Sequence, residues 1–197
     1  MRPRDQAGIT IPEVLVVLVI VGVLASVPLT RCIFKPNAMY RAQMSQALYH
    51  MKQLHLATVQ MELDGMVARH ANLGWPGDTG GTFTNWASQL VPAYLSTNDF
   101  GKSLSVAGRT LPPDRVPTAN TNGILVYAVS TNSATNAIFL ATANITDSPQ
   151  GAGFATDPKL FGNTGFVVFR KNGDGALLYA NQITNAQLVG TWVPLCK

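Results

Sequence analysis

Cysteine is nearly missing from this chain, which has Cys32, Cys196 and no other. Two cysteines so far apart supply neither the disulfide framework of a small secreted scaffold nor the closely spaced ligand pairs of a structural zinc site, and both are read as free thiols. Charge is scarce as well. Asp, Glu, Lys and Arg make up 12% of the residues, where about a quarter is usual for a soluble domain. The deficit is local, since no ionisable residue occurs between Val14 and Leu29. The net charge of +4 comes without any run of Lys or Arg interleaved with aromatics, so no nucleic-acid surface is expected. Also missing are the Gly-x-x-x-x-Gly-Lys-Ser/Thr phosphate loop, the His-Glu-x-x-His zinc pair and the Gly-x-Ser-x-Gly nucleophile elbow. His50 and His55 stand roughly 140° apart on a helix at about 100° per residue, a poor arrangement for shared ligation. No catalytic residue is assigned, and the chain is read as a non-enzyme.

What is present at the amino terminus is an order of segments. Arg2 and Arg4 come first, and the apolar run begins after Ile9-Thr10-Ile11-Pro12-Glu13. Positive charge ahead of an apolar helix keeps the leader cytoplasmic and sends the bulk of the chain across the membrane. As a helix, Ile9–Thr30 rises roughly 33 Å at about 1.5 Å per residue, enough for a hydrocarbon core of about 30 Å. Thr10-Ile11-Pro12-Glu13 fits a capping box, with Thr10 as N-cap and Glu13 three positions on. An ordinary export signal cut between Ala25 and Ser26 is an alternative, giving a released soluble enzyme or binding module. It leaves unexplained a carboxylate at the edge of the apolar run, where an unpaired charge is costly. A membrane-anchored binding protein that keeps its leader and never polymerises is the other alternative.

Gly8-Ile9-Thr10-Ile11-Pro12-Glu13-Val14-Leu15-Val16-Val17 resembles the leader junction of type IV prepilins and type II secretion pseudopilins. The resemblance covers about the first thirty residues and rests on a combination: a short basic leader, the Gly, a Glu fifth after the junction, and an apolar helix. It implies cleavage by a prepilin peptidase between Gly8 and Ile9, N-methylation of the new amine of Ile9, and a register role for Glu13, paired with the amine of a neighbouring subunit. Two opposite charges inside a helix bundle are tolerable when paired. Ile9 departs from the Phe that the family prefers. The partners implied are further copies or related pilins in a helical filament, the peptidase, an inner-membrane assembly platform and the bilayer itself. The head would then lie in the periplasm of a bacterium, or in an extracellular filament.

Beyond the apolar run, Pro28 and Pro36 predict a kink or unwinding between Leu29 and Lys35. Asn37 is placed to cap a second helical stretch that Gly65 ends. Within it Tyr40, Met44, Ala47, Met51, Leu54, Thr58 and Met61 recur at alternating steps of four and three, one apolar stripe with polar residues on the other faces. A short helix is expected at Trp86–Val91, before Pro92. Strands are expected at Gly123–Val129 and Ala137–Ala141, pairing as a hairpin, and at Gly165–Arg170 and Ala176–Tyr179 around the Asn172-Gly173-Asp174-Gly175 turn. The fold class is therefore α+β and pilin-like: a long amino-terminal helix, its first half membrane-spanning, packed on a small antiparallel head. The organisation reads as a cleaved leader at 1–8, an assembly helix at 9–36, an amphipathic helix at 37–65 and a head at 66–197. Leu73-Gly74-Trp75-Pro76-Gly77-Asp78 with Thr84-Asn85-Trp86 also resembles a stretch found after the helix in pseudopilin-like proteins.

No cofactor is expected. Some major pseudopilins hold calcium in the head, which by resemblance makes Asp174 a calcium candidate. The turn accounts for Asp174 unaided, and nearby acidic residues are too few to supply six or more oxygen ligands.

Overall fold

A computed structural model describes residues 11–12, 14–22, 36–69, 73–106, 123–146, 155–156, 158–162, 164–179 and 190–196. The chain divides into two units, Met1–Met39 and Tyr40–Lys197. In the first, residues 11–12 and 14–22 are helical. The expected kink between Leu29 and Lys35 lies outside the described residues.

The second unit is built on the part of α1, Pro36–Ala68, that runs from Tyr40 onward. Asn37 is not its cap. The helix starts with Pro36 itself, which the first turn accommodates because the missing amide hydrogen would have had no partner there. Nor does Gly65 end it. Gly65 is buried and follows Leu54, Thr58 and Met61 at the same alternating steps, so it occupies the next position of the stripe. The helix stops instead after Ala68, where Arg69 takes up a left-handed conformation at φ 55°. From Met44 to Met61 the stripe is buried throughout. Thr58 donates to the carbonyl of Leu54 at 2.8 Å and so enters the core satisfied.

Two short helices come next. α2, Phe83–Leu90, is capped by Thr82, whose side chain accepts from the Asn85 amide; it buries Phe83, Trp86, Ala87 and Leu90. It ends ahead of Pro92, as the sequence predicts. α3, Thr97–Leu104, is capped by Ser96, which accepts from the Asp99 amide, and it buries Phe100, Ser103 and Leu104.

The sheet is antiparallel and four-stranded in the order β1-β2-β5-β6, formed by β1 Ile124–Val126, β2 Ile138–Thr142, β5 Gly165–Arg170 and β6 Gly175–Tyr179. A separate two-stranded ribbon pairs β3, Ile145–Thr146, with β4, Ala155–Thr156. A single turn of helix, α4 at Pro158–Phe161, leads into β5. Every residue of β2 is buried, which a central strand covered on both faces requires. The β5–β6 hairpin closes where the sequence places it, with Phe169 opposite Gly175 and Gly165 opposite Tyr179. Gly173 supplies the positive φ of the turn, at 86°.

The α1 stripe packs on this sheet. Where α1 crosses β6, a Cβ on Gly175 would lie 2.3 Å from Leu48 Cδ1 and 2.8 Å from the Phe169 ring, so the glycine permits the close approach. Around Phe139 of β2 the core is aromatic: Trp75 and Trp86 meet its ring edge to face, with centroids 5.1 and 5.9 Å away. Trp75 comes from the Leu73–Asp78 segment, a turn pinned to the β1–β2 connection by the Gly77 amide on the Val129 carbonyl at 2.7 Å. Asp78 adds to it by accepting from the Thr131 amide and hydroxyl. The carboxy-terminal residues return to β1, the Cys196 amide donating to the Val126 carbonyl and the Ala128 amide to the Pro194 carbonyl. The observed architecture is α+β with an antiparallel sheet, as expected.

Candidate functional site: the amino-terminal apolar helix

Helix formation over 14–22 follows from a run of Val, Leu and Ile with no glycine or proline until Gly22. Along it, every large apolar side chain described from Ile11 to Val21 is at least 48% exposed, and Ile11 reaches 82%. These side chains take up every direction around the axis at about 100° per residue. A helix that is apolar all round is stable when something apolar surrounds it, and exposed apolar surface of this extent marks an interaction site.

Among the described residues no helix is long and apolar enough to cross a membrane. The longest described stretch of the amino-terminal helix, 14–22, rises roughly 14 Å, against a hydrocarbon core of about 30 Å. Gly8, Ile9, Glu13 and Cys32 lie outside the described residues, as does half of the expected span from Ile9 to Thr30.

In the head, the candidate residues are engaged in structure. Asp174 sits in the β5–β6 turn with its carboxylate paired to the Arg170 guanidinium, and its amide donates to Asn172 Oδ1 at 3.0 Å. Its described neighbours include a cation, and no three His, Cys, Asp or Glu residues cluster for a metal among the described residues. The Arg170 guanidinium already occupies the Asp174 carboxylate as its counter-charge.

The two histidines are apart in role as in angle. His50 Nδ1 lies 3.3 Å from the Ser105 carbonyl oxygen, and His55 Nε2 lies 2.8 Å from that of Lys171. His55 is buried under the sheet, and loss of solvent there pushes its pKa below the ordinary value, against the opposing pull of the Lys171 carbonyl and the Glu62 carboxylate. Cys196 is a buried free thiol, and burial pushes its pKa up to about 12. His55 and Cys196 belong to the packing of the head, whereas His50 is half-buried and lines a cleft.

A cleft beside α1, walled by α3, is not foreshadowed by any motif. Its one local signal is Ser96-Thr97-Asn98-Asp99, a capping pattern that announces α3.

Residues 3–27 match the prokaryotic N-terminal methylation motif, the signature of type IV pilins and pseudopilins. No curated protein and no solved structure matches the chain. The amino-terminal segment therefore carries a pilin-type processing signature, and that class of protein is structural, not enzymatic.

Proposed function

We propose that this protein is a pilin-like subunit, a pseudopilin of a type II secretion system or a type IV pilin, that works by assembly. A prepilin peptidase cuts between Gly8 and Ile9, and the new amine of Ile9 is methylated. The apolar helix holds the subunit in the bacterial inner membrane as a single pass, with the head in the periplasm, until an assembly platform moves it into a filament. There the same helix exchanges lipid for neighbouring helices, and Glu13 pairs with the amine of an adjacent subunit.

The observation that carries this reading is the methylation motif over residues 3–27. It coincides with a helix whose large apolar side chains are exposed on all sides, which is the physical requirement for a segment that must be covered first by lipid and then by other helices. The head adds a long α1 whose inner stripe supports the sheet.

The test is the mature amino terminus, determined by mass spectrometry on membrane-extracted protein expressed with and without a prepilin peptidase. Peptidase-dependent appearance of a chain starting at Ile9 is the expected result. A start at Ser26 would replace this reading with an exported soluble domain, and an intact Met1 beside active peptidase would replace it with a simple membrane anchor.

A further inference from the structure

The outer face of α1 carries a patterned line of its own. Tyr49, Gln53, Leu56 and Gln60 recur at steps of four, three and four, so they lie along one side of the helix. Together with His50 and Ala57 of the same helix they floor a cleft of about 490 Å3. Its other wall is formed by Tyr94 and Leu95, which follow α2, and by Asp99 and Lys102 of α3. The volume falls within the range of sites that enclose small ligands. None of these residues belongs to the amino-terminal segment, so a ligand would bind here whether or not the chain is processed as a pilin.

The lining restricts what can occupy the cleft. Tyr49 and Leu56 are 61% and 57% exposed on its floor, so apolar surface is available for burial. An apolar partner helix is a poor occupant, because Gln53 and Gln60 alternate with those residues, and covering a carboxamide with hydrocarbon costs a few kcal/mol unless it is hydrogen-bonded. An anionic ligand is no better served: Lys102 shares the wall with Asp99, His50 Nδ1 already faces the Ser105 carbonyl oxygen at 3.3 Å, and the Asp64 carboxylate lies near the Tyr94 hydroxyl. The complementary ligand is uncharged, has apolar C–H faces and carries many hydroxyls.

We propose that this cleft binds a neutral oligosaccharide. Tyrosine rings present an apolar face with a polar tip, suited to lie against the C–H face of a pyranose. A carboxamide offers a donor and an acceptor side by side, which matches a pair of neighbouring hydroxyls. Tyr49 on the floor and Tyr94 on the facing wall take the faces of the sugar rings; Gln53 and Gln60 take the hydroxyls along the floor. Ser103 Oγ donates to Gln53 Oε1 at 3.4 Å, which helps orient that amide from α3. Lys102 donates to a sugar oxygen at the rim.

The experiment uses the full chain in a zwitterionic detergent without a sugar headgroup, titrated with maltotriose, cellotriose and chitotriose. Binding is read by saturation-transfer NMR and calorimetry. The expected result is saturable binding of at least one trisaccharide, weakened about tenfold or more by Tyr49→Ala and by Gln60→Ala, with unchanged thermal midpoints. Gln46→Ala, at an exposed position of α1 that does not line the cleft, should bind as the wild type does. Absence of saturable binding for all three sugars overturns the proposal. Binding that survives both Tyr49→Ala and Gln60→Ala overturns it too, since the sugar would then sit elsewhere.

Discussion

His55 Nε2 lies 2.8 Å from the Lys171 carbonyl oxygen, joining the middle of α1 to the turn that closes the β5–β6 hairpin. The rings of Trp75, Phe139 and Phe169 surround the imidazole, with centroids 5.2 to 6.2 Å away. The acceptor is a carbonyl, so Nε2 carries the hydrogen and the neutral ring suffices for the bond.

A pH dependence arises from that position. Desolvation lowers the His55 pKa below 6.5 in the folded state, so between 6.5 and the folded value the unfolded chain binds more protons. Stability should therefore be constant with respect to this group above about pH 6.5 and fall as pH drops through that window. Urea unfolding of the full chain between pH 7.5 and 5 checks this. His55→Gln keeps a donor for Lys171 and has no proton to gain, so its pH slope in this window should be shallower than that of the wild type. Equal slopes would show that His55 does not supply the dependence.

Cys196 gives the opposite sign at the alkaline end. Its thiol is buried and its pKa is pushed up from 9.0 to about 12. The unfolded chain therefore loses this proton first, and stability should decline as pH rises from about 9 towards 12. At pH 8 the native thiol should react with iodoacetamide far more slowly than in urea, because the thiolate is the reactive form. Peptide mass spectrometry separates Cys196 from Cys32; rapid labelling of Cys196 without denaturant would contradict its placement beside Val126.

Two glycines should respond in opposite directions to alanine. A Cβ on Gly77 would lie 2.6 Å from the Ala128 carbonyl oxygen and 2.9 Å from that of Val129, both backbone atoms fixed by β1 and its continuation. Gly77→Ala should cost about 3 kcal/mol, the upper part of the usual range for overpacking. Gly101 sits inside α3 with nothing within 4 Å of a new Cβ. Gly101→Ala should add up to about 1 kcal/mol through helix propensity and reduced freedom of the unfolded chain. Urea titration of the two variants beside the wild type gives both values; a neutral Gly77→Ala would mean that the 73–79 turn is not held where its hydrogen bonds place it.

Much of the head is legible in sequence where a local pattern and a burial demand coincide. The Met-rich stripe, the Asn172-Gly173-Asp174-Gly175 turn and the apolar runs of β1 and β2 each combine both signals, and each is found within a few residues of its expected place. The limits of α1 are less legible. Pro36 and Gly65 are breakers by propensity, but the first turn tolerates one and the continuing stripe holds the other in the helix. The cleft and the return of Cys196 to β1 have no local signal strong enough to reveal them, because both depend on residues far apart in sequence. In the amino-terminal segment the motif itself is the sequence signal, and it spans Gly8, Ile9 and Glu13.

The role given to Glu13 makes the assembly reading falsifiable at one position. A carboxylate at the head of an apolar helix can serve as a helix-start partner in the monomer, and its loss from that role alone costs about 1 kcal/mol or less, too little to prevent insertion. In a filament its loss leaves the amine of the neighbouring subunit buried without a counter-charge, which typically costs about 3–5 kcal/mol. Glu13→Ala should therefore insert and be cleaved as the wild type is, yet lower filament yield by at least about a hundredfold at that cost. Membrane fractionation and amino-terminal mass spectrometry read the first two outcomes, and quantitation of sheared filaments reads the third. Wild-type filament yield from a correctly processed Glu13→Ala subunit would remove Glu13 from the interface and leave it only the helix-start role.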